Sequence, residues 1–177
     1  SCFPKDVKAL MHTAKENGME LKITQATEDV NDAQKARMVN KIKTALGNDV
    51  AGKKIAVFGL TFKPETDDMR ESPSIAILPP LMDKGAVIHA HDPKGIEAAR
   101  SLLPTDVNYF DDAYEAAKGA DAIVLMTEWN QYRSLDLRRL KESMNDTHFI
   151  DLRNVYDPKY MKKKGFKYTS VGRLSAK

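Results

Sequence analysis

Apolar positions recur along this chain at two different spacings, and the change from one to the other divides it. In the first fifty residues the spacing is helical. Val7, Leu10 and Met11 share one face of a segment spanning residues 1–18, with Pro4 suited to a first helical turn and Gly18 to a stop. From about residue 25 to 46, Val30, Ala33, Met38, Ile42 and Ala45 keep a period near 3.6, and Gly47 stands where a left-handed cap is wanted. At the usual rise per residue this second helix would be about 33 Å long. Lying between two segments of different character, it reads as a connector or a dimer element.

After Gly52 the pattern changes to short apolar runs alternating with amphipathic stretches. Residues 54–58, 86–91, 121–126 and 148–152 are predicted strands, with a weaker one at 107–110 and a last one at 167–171. Helices are predicted between them at 73–84, 95–102, 113–118 and 136–144. Strands that are almost continuously apolar and alternate with helices imply a parallel sheet covered on both faces. The expected fold is therefore α/β, a Rossmann-like doubly wound parallel sheet preceded by a long central helix.

Composition narrows the partners. The 28 basic and 25 acidic residues are interspersed, with only Lys162, Lys163 and Lys164 forming a compact basic run, too weak a signal for nucleic acid. The longest apolar stretch, residues 74–82, is broken by Pro79 and Pro80 and falls well short of a membrane span. A single cysteine cannot form an internal disulfide, so a reducing cytoplasm is the expected setting. The opening Ser1-Cys2, without a methionine, suggests a piece excised from something longer.

Open α/β sheets take ligands outside the carboxyl ends of their strands, which directs attention to residues 59–73, after the first strand of the sheet. A complete G-x-G-x-x-G is missing there, because Thr61 and Pro64 occupy the second and third glycine positions, and this argues against an ordinary NAD pyrophosphate turn. The loop does offer Lys63 and Arg70 as cations, and Ser72-Pro73 opens a helix whose free amides favour an anion. The competing reading is a solvated loop with Arg70 paired to Asp67 or Asp68. Arg153, at the end of another strand, is a third cation for a diphosphate or half of a surface salt bridge.

Cys2 also has two readings. A lone cysteine is most often a small buried hydrophobe. Beside a helix N-terminus and near Lys5, however, its thiol would sit in positive potential that favours the nucleophilic thiolate. Asp6 would either cap the helix amides or order a water near the thiol. Trp129 fits a loop anchor packed on the core better than a platform for a ligand base. His12, His89, His91 and His148 lack Glu or Cys at metal-ligand spacing, and no metal is expected.

Five ordered motifs then resemble the UDP-glucose/GDP-mannose dehydrogenase family. Ser1-Cys2-Phe3-Pro4-Lys5-Asp6 resembles its catalytic-cysteine motif, and Val30-Asn31-Asp32-Ala33-Gln34-Lys35 its V-N-x-x-Q-K helix signature. The run from Phe62 to Pro73 is similar to its nucleotide-sugar loop, 151–158 (DLRNVYDP) to D-x-R-N-x-x-D-P, and 168–173 to the closing Y-x-S-x-G-R. Leu152 departs from the pattern, standing where many relatives have glycine.

The resemblance implies an NAD-dependent, four-electron oxidation of a nucleotide sugar at C6, UDP-glucose to UDP-glucuronate. Cys2 would be the nucleophile and Asp6 its acid/base assistant. Lys5 and Arg70 would reach NAD, Phe62, Lys63 and Arg153 would hold the sugar nucleotide, and the central helix would form a homodimer. Residues 1–50 would then be the cysteine helix and dimerisation helix, and 51–177 the UDP-sugar-binding domain, with an N-terminal NAD domain absent and the isolated chain inactive. The alternatives are oxidation of GDP-mannose or a UDP-N-acetylhexosamine, or a module that binds nucleotide or dimerises without catalysis.

Overall fold

Because the strands are apolar on both sides, they have to be covered on both faces, and the computed structural model shows how. It describes residues 2–173, apart from the side chains of Cys2 and Phe3. Six strands, β1 (Lys54–Phe58), β2 (Val87–His91), β3 (Asn108–Tyr109), β4 (Ala122–Leu125), β5 (His148–Asp151) and β6 (Lys167–Ser170), form one sheet in the order β3-β2-β1-β4-β5-β6. Every pairing is parallel, with Val57 opposite Ala90 on one side and Val124 on the other.

Alternation along each strand sorts its side chains between two cores. Ile55, Val57, Ile88, Val124 and Ile150 face α2 (Lys22–Ala45), α3 (Pro73–Met82) and α4 (Ile96–Arg100). Ala56, Phe58, Ile123, Leu125 and Phe149 face α5 (Ala113–Ala117), α6 (Asn130–Arg133), α7 (Leu137–Ser143) and α8 (Pro158–Lys163). This is the expected doubly wound sheet led by a long helix. β1 matches its apolar run and the other strands are one or two residues shorter than theirs, α2 begins three residues earlier than its periodicity indicates, and α6 and α8 were not anticipated.

The long helix is anchored at one end. Met38 and Ile42 are buried against the sheet, whereas Val30 is 59% and Ile23 86% exposed, so the apolar stripe of α2 leaves the core halfway along. Its companion α1 (Cys2–Glu16) packs on α2 and contributes Ala14 as its one fully buried residue among those described. Gly18 and Gly47 have positive φ just beyond the two helices, as the capping pattern requires.

Ile42 has no exposed surface and little room to relax. Ile42→Ala should cost about 2 to 5 kcal/mol in urea denaturation, by loss of burial plus the cavity it leaves. A cost near zero would mean that α2 is not docked on the sheet.

Candidate functional site

The strand order reverses between β1 and β4, so the loops after these strands border the crevice in which such folds take a ligand. Here the chain fills that crevice itself. A Cβ on Gly59, whose φ is +88°, would lie 2.5 Å from Cβ of Thr127, so the loops after β1 and β4 touch. The Thr127 hydroxyl donates to the Thr61 carbonyl at 2.6 Å. Just past β2, buried Asp92 closes the arrangement. Its Oδ2 accepts from the Leu60 amide at 2.7 Å, the Thr61 amide at 3.0 Å, the Thr61 hydroxyl at 3.1 Å and Trp129 Nε1 at 3.2 Å. Its Oδ1 accepts from the amides of Gly95 at 2.7 Å and Lys94 at 3.0 Å.

The missing glycine fingerprint thereby gains a structural counterpart. Amides that a dinucleotide turn points at pyrophosphate are already committed to a carboxylate. Sequence reasoning missed Asp92, whose only signal is an acidic residue directly after a strand. Trp129 is the loop anchor, buried with its ring nitrogen spent on Asp92 and Thr61. The expected anion seat at the start of α3 is not supported. Ser72 caps that helix and accepts from the Ser74 amide, both hydroxyls donate to the Leu60 carbonyl, and both residues are buried.

Above this floor the loop rises to solvent. Phe62 is half-buried and its amide donates to the Asp68 carbonyl at 2.9 Å. Lys63 is exposed and has no ion pair among the described residues. Arg70 takes the solvated-loop pairing, gripping Asp68 through Nε at 2.9 Å and Nη2 at 3.1 Å. Glu65 and Glu71 both have φ of 60°, a left-handed conformation costing a non-glycine residue about 1 kcal/mol or more.

A second buried carboxylate shapes the loop after β5. Asp151 accepts from the amides of Arg153 at 2.9 Å and Tyr156 at 3.0 Å and from the Tyr168 hydroxyl at 2.7 Å. Burial, followed by Asp151, pushes the Tyr168 phenol well above its ordinary value. The left-handed position is Asn154, with φ of 55° and both side-chain ends bonded to the Val171 backbone, so Leu152 stands in the glycine position without strain. Arg153 forms a fork on Glu128, at 2.6 and 3.0 Å. Burial raises the Glu128 carboxyl, but the hydrogen bonds and charge of Arg153 outweigh it and hold the pKa below the usual carboxylate value. That pair contributes stability above the ordinary carboxylate range, and loses it as pH falls through the lowered folded value.

Arg153 also borders a hollow of about 170 Å³ at the same sheet edge, lined by Gln34 and Lys35 of α2 with Pro73, Met126, Leu152 and Val171. Lys35 is paired with Asp32 at 3.0 Å. Sequence reasoning quoted Gln34 and Lys35 within a motif without giving them a place in the site.

Cys2 begins α1, but its side chain lies outside the described residues, as does Ser1. Asp6 is in the second turn rather than at the cap, because the helix has already started at Cys2, and it pairs with Lys5 at 3.3 Å where both are exposed. Lys8 reaches further, to both oxygens of Glu71 at 2.9 and 2.8 Å and to Glu28 of α2 at 3.4 Å. The strand histidines pack as expected. His91 Nδ1 and the Tyr132 hydroxyl are 2.8 Å apart, and burial lowers the pKa of His89, His91 and His148.

Comparison with known proteins agrees with this geometry. Residues 56–158, more than half of the chain, match the model of the UDP-glucose/GDP-mannose dehydrogenase family, UDP binding domain, and residues 1–33 match the family's central domain. The chain belongs to this family. UDP-glucose 6-dehydrogenase of Rhizobium meliloti is 48% identical over 98% of the chain, and UDP-glucose 6-dehydrogenase TuaD of Bacillus subtilis 37% identical over 98%. The chain covers only 39% and 37% of those proteins. Among solved structures, a UDP-glucose dehydrogenase from Pyrobaculum islandicum superposes with a TM-score of 0.81 at 31% identity, over 98% of this chain and 38% of that one. An NDP-N-acetyl-D-galactosaminuronic acid dehydrogenase from Methanosarcina mazei gives 0.82 at 29%, over 97% and 37%. Both solved dehydrogenases thus share the overall fold of this chain over nearly its whole length.

Asp92→Asn replaces one accepting oxygen with a donor facing amides that already donate. The variant should lose about 3 kcal/mol of stability in urea titration, with faster amide exchange at Leu60 and Thr61. Wild-type stability and exchange would show that the carboxylate does not hold the turn.

Proposed function

We propose that this chain supplies the nucleophile and the UDP-sugar-binding domain of an NAD-dependent dehydrogenase that oxidises UDP-glucose to UDP-glucuronate. The observation that carries this reading is the gathering of Gln34-Lys35, Leu152-Arg153 and Val171, three motifs far apart in sequence, around one hollow at the ligand edge of the sheet. The loop bearing Phe62 and Lys63 leaves the same edge. The names of the similar proteins point the same way.

On this reading residues 1–50 form the cysteine helix and dimerisation helix, and 51–177 the sugar-nucleotide domain. Lys63 and Arg153 attract the diphosphate, with Arg153 exchanging part of its grip on Glu128 for the ligand. Phe62 packs on the sugar nucleotide beside them. Cys2, at the positive end of α1, adds as thiolate to the C6 aldehyde to form a thiohemiacetal, which becomes a thioester once hydride is removed. Water then releases the carboxylate and regenerates the thiol, while Asp6 assists the proton transfers. NAD, when bound, would supply the hydride acceptor both for the oxidation of the C6 alcohol to that aldehyde and for the oxidation of the thiohemiacetal.

The cofactor fits poorly in this domain's own β1 turn, whose Leu60 and Thr61 amides are taken by Asp92. It is therefore placed outside the described residues, within reach of exposed Lys5 and Arg70. The outward apolar face of Ile23 and Val30 suits a homodimer through α2. The lone Cys2 suits a reducing cytoplasm.

In the full-length protein, Cys2→Ala should abolish NADH formation from UDP-glucose while leaving sugar-nucleotide binding intact. Turnover at the wild-type rate would remove Cys2 from the chemistry. Lys63→Ala takes away an exposed cation without breaking an observed ion pair, and should weaken UDP-glucose binding by about 1 to 3 kcal/mol in calorimetry. Unchanged affinity would exclude Lys63 from the site.

A further inference from the structure

The helix that carries Cys2 is thinly attached. Ala14, near its far end, is its one fully buried residue among those described, and none of residues 4–8 is buried. Among the described side chains of that part of α1, Lys8 reaches across to other segments. Its ammonium lies 2.9 and 2.8 Å from the two oxygens of Glu71, in the loop after β1, and 3.4 Å from Oε1 of Glu28 on α2.

Three features distinguish this junction from an ordinary surface pair. Glu28 is buried, its side chain only 9% exposed, and its Oε2 has no hydrogen-bond partner among the described residues, so Lys8 supplies the cation that compensates it. Glu71 holds a left-handed backbone that glutamate adopts only against a cost, and it lies directly between Arg70 and the Ser72 cap of α3. Finally, the three charges belong to three different segments, namely the cysteine helix, the central helix and the loop that presents Phe62 and Lys63. The Lys8 ammonium thus contacts both of the other segments at once.

We propose that Lys8 is the positioning residue that sets the cysteine helix against the sugar-nucleotide loop, through Glu71 and Glu28. The proposal deepens the functional reading above and rests on it for its kinetic consequence. Lys8 does not touch the reacting atoms. It fixes where Cys2 stands relative to a sugar held by the loop, and small errors in that distance are amplified in the rate of thiol addition.

The test uses the full-length protein with Lys8→Met, Lys8→Arg, Glu71→Gln and the Lys8→Met/Glu71→Gln double variant. With UDP-glucose, Lys8→Met should lower kcat about tenfold or more while KM stays within about threefold, and Lys8→Arg should restore most of the rate. Independently of any substrate, alkylation of Cys2 by iodoacetamide, followed in its peptide by mass spectrometry, should change about threefold or more in either single variant. The double variant should show no change beyond that of Lys8→Met, because Glu71 acts through its contact with Lys8. In an active enzyme, a wild-type value of either kcat or Cys2 alkylation in Lys8→Met overturns the proposal, as does a parallel loss of kcat and sugar-nucleotide binding that Lys8→Arg fails to rescue. If the unmutated protein oxidises no nucleotide sugar, altered alkylation in the single variants upholds the junction and rejects the activity, and unaltered alkylation rejects the junction.

Discussion

A buried carboxylate surrounded by six donors holds together the part of this molecule where a ligand would otherwise enter. Asp92 draws the amides of Leu60 and Thr61 toward β2, brings Trp129 down from the β4 loop and fixes the turn at Gly95. A charge this deep is tolerated only because its lone pairs are matched by nearby donors. The consequence reaches beyond stability. On the proposed function, the ligand-binding groups stand above this closed crevice, on the loops that leave the carboxyl ends of β1 and β5. Asp151 repeats the device three strands along the sheet, collecting the Arg153 and Tyr156 amides and the Tyr168 hydroxyl beneath the loop that presents Arg153.

Rigid floors under exposed cations are a sensible arrangement for an anionic ligand. On that reading, Lys63, Arg70 and Arg153 extend from two loops whose bases are pinned, which limits the ordering left to be done on binding. Two of them carry acidic partners, Asp68 and Glu128. Such pairing limits mutual repulsion among the cations, and an incoming diphosphate would compete for donors already aligned. Of the four non-glycine residues with positive φ among those described, Glu65, Glu71 and Asn154 lie in these two loops, so backbone strain is concentrated where the candidate site is.

Much of this architecture was readable in the chain because its signals were local. The runs at Lys54–Phe58 and Ala122–Leu125 are apolar on both sides and became the central strands, and glycines after α1 and α2 marked where those helices stop. The long helix was read as one apolar stripe, yet Val30 points away from the core while Ile42 is enclosed by it, and periodicity alone cannot say where a neighbouring layer ends. The cap and proline at Asp157-Pro158 did announce α8, but the pair was read only as part of a motif. Asp151 was read only as part of a motif, and Asp92 was invisible for another reason. An acidic residue after a strand looks the same in sequence whether it faces solvent or gathers amides from loops thirty residues away, and the Lys8 junction likewise depends on three segments meeting in space.

The central claim is that the closed turn after β1 excludes a dinucleotide and leaves the uridine nucleotide to the loops above it. The most direct measurement is amide NMR of the isotopically labelled chain titrated separately with UDP and with NAD. The account predicts that UDP shifts resonances in the loop from Phe62 to Arg70 and around Leu152, Arg153 and Asn154, while Leu60 and Thr61 stay in place and NAD leaves the β1 turn undisturbed. Shifts at Leu60 and Thr61 on adding NAD, or no response to UDP along that edge, would contradict it.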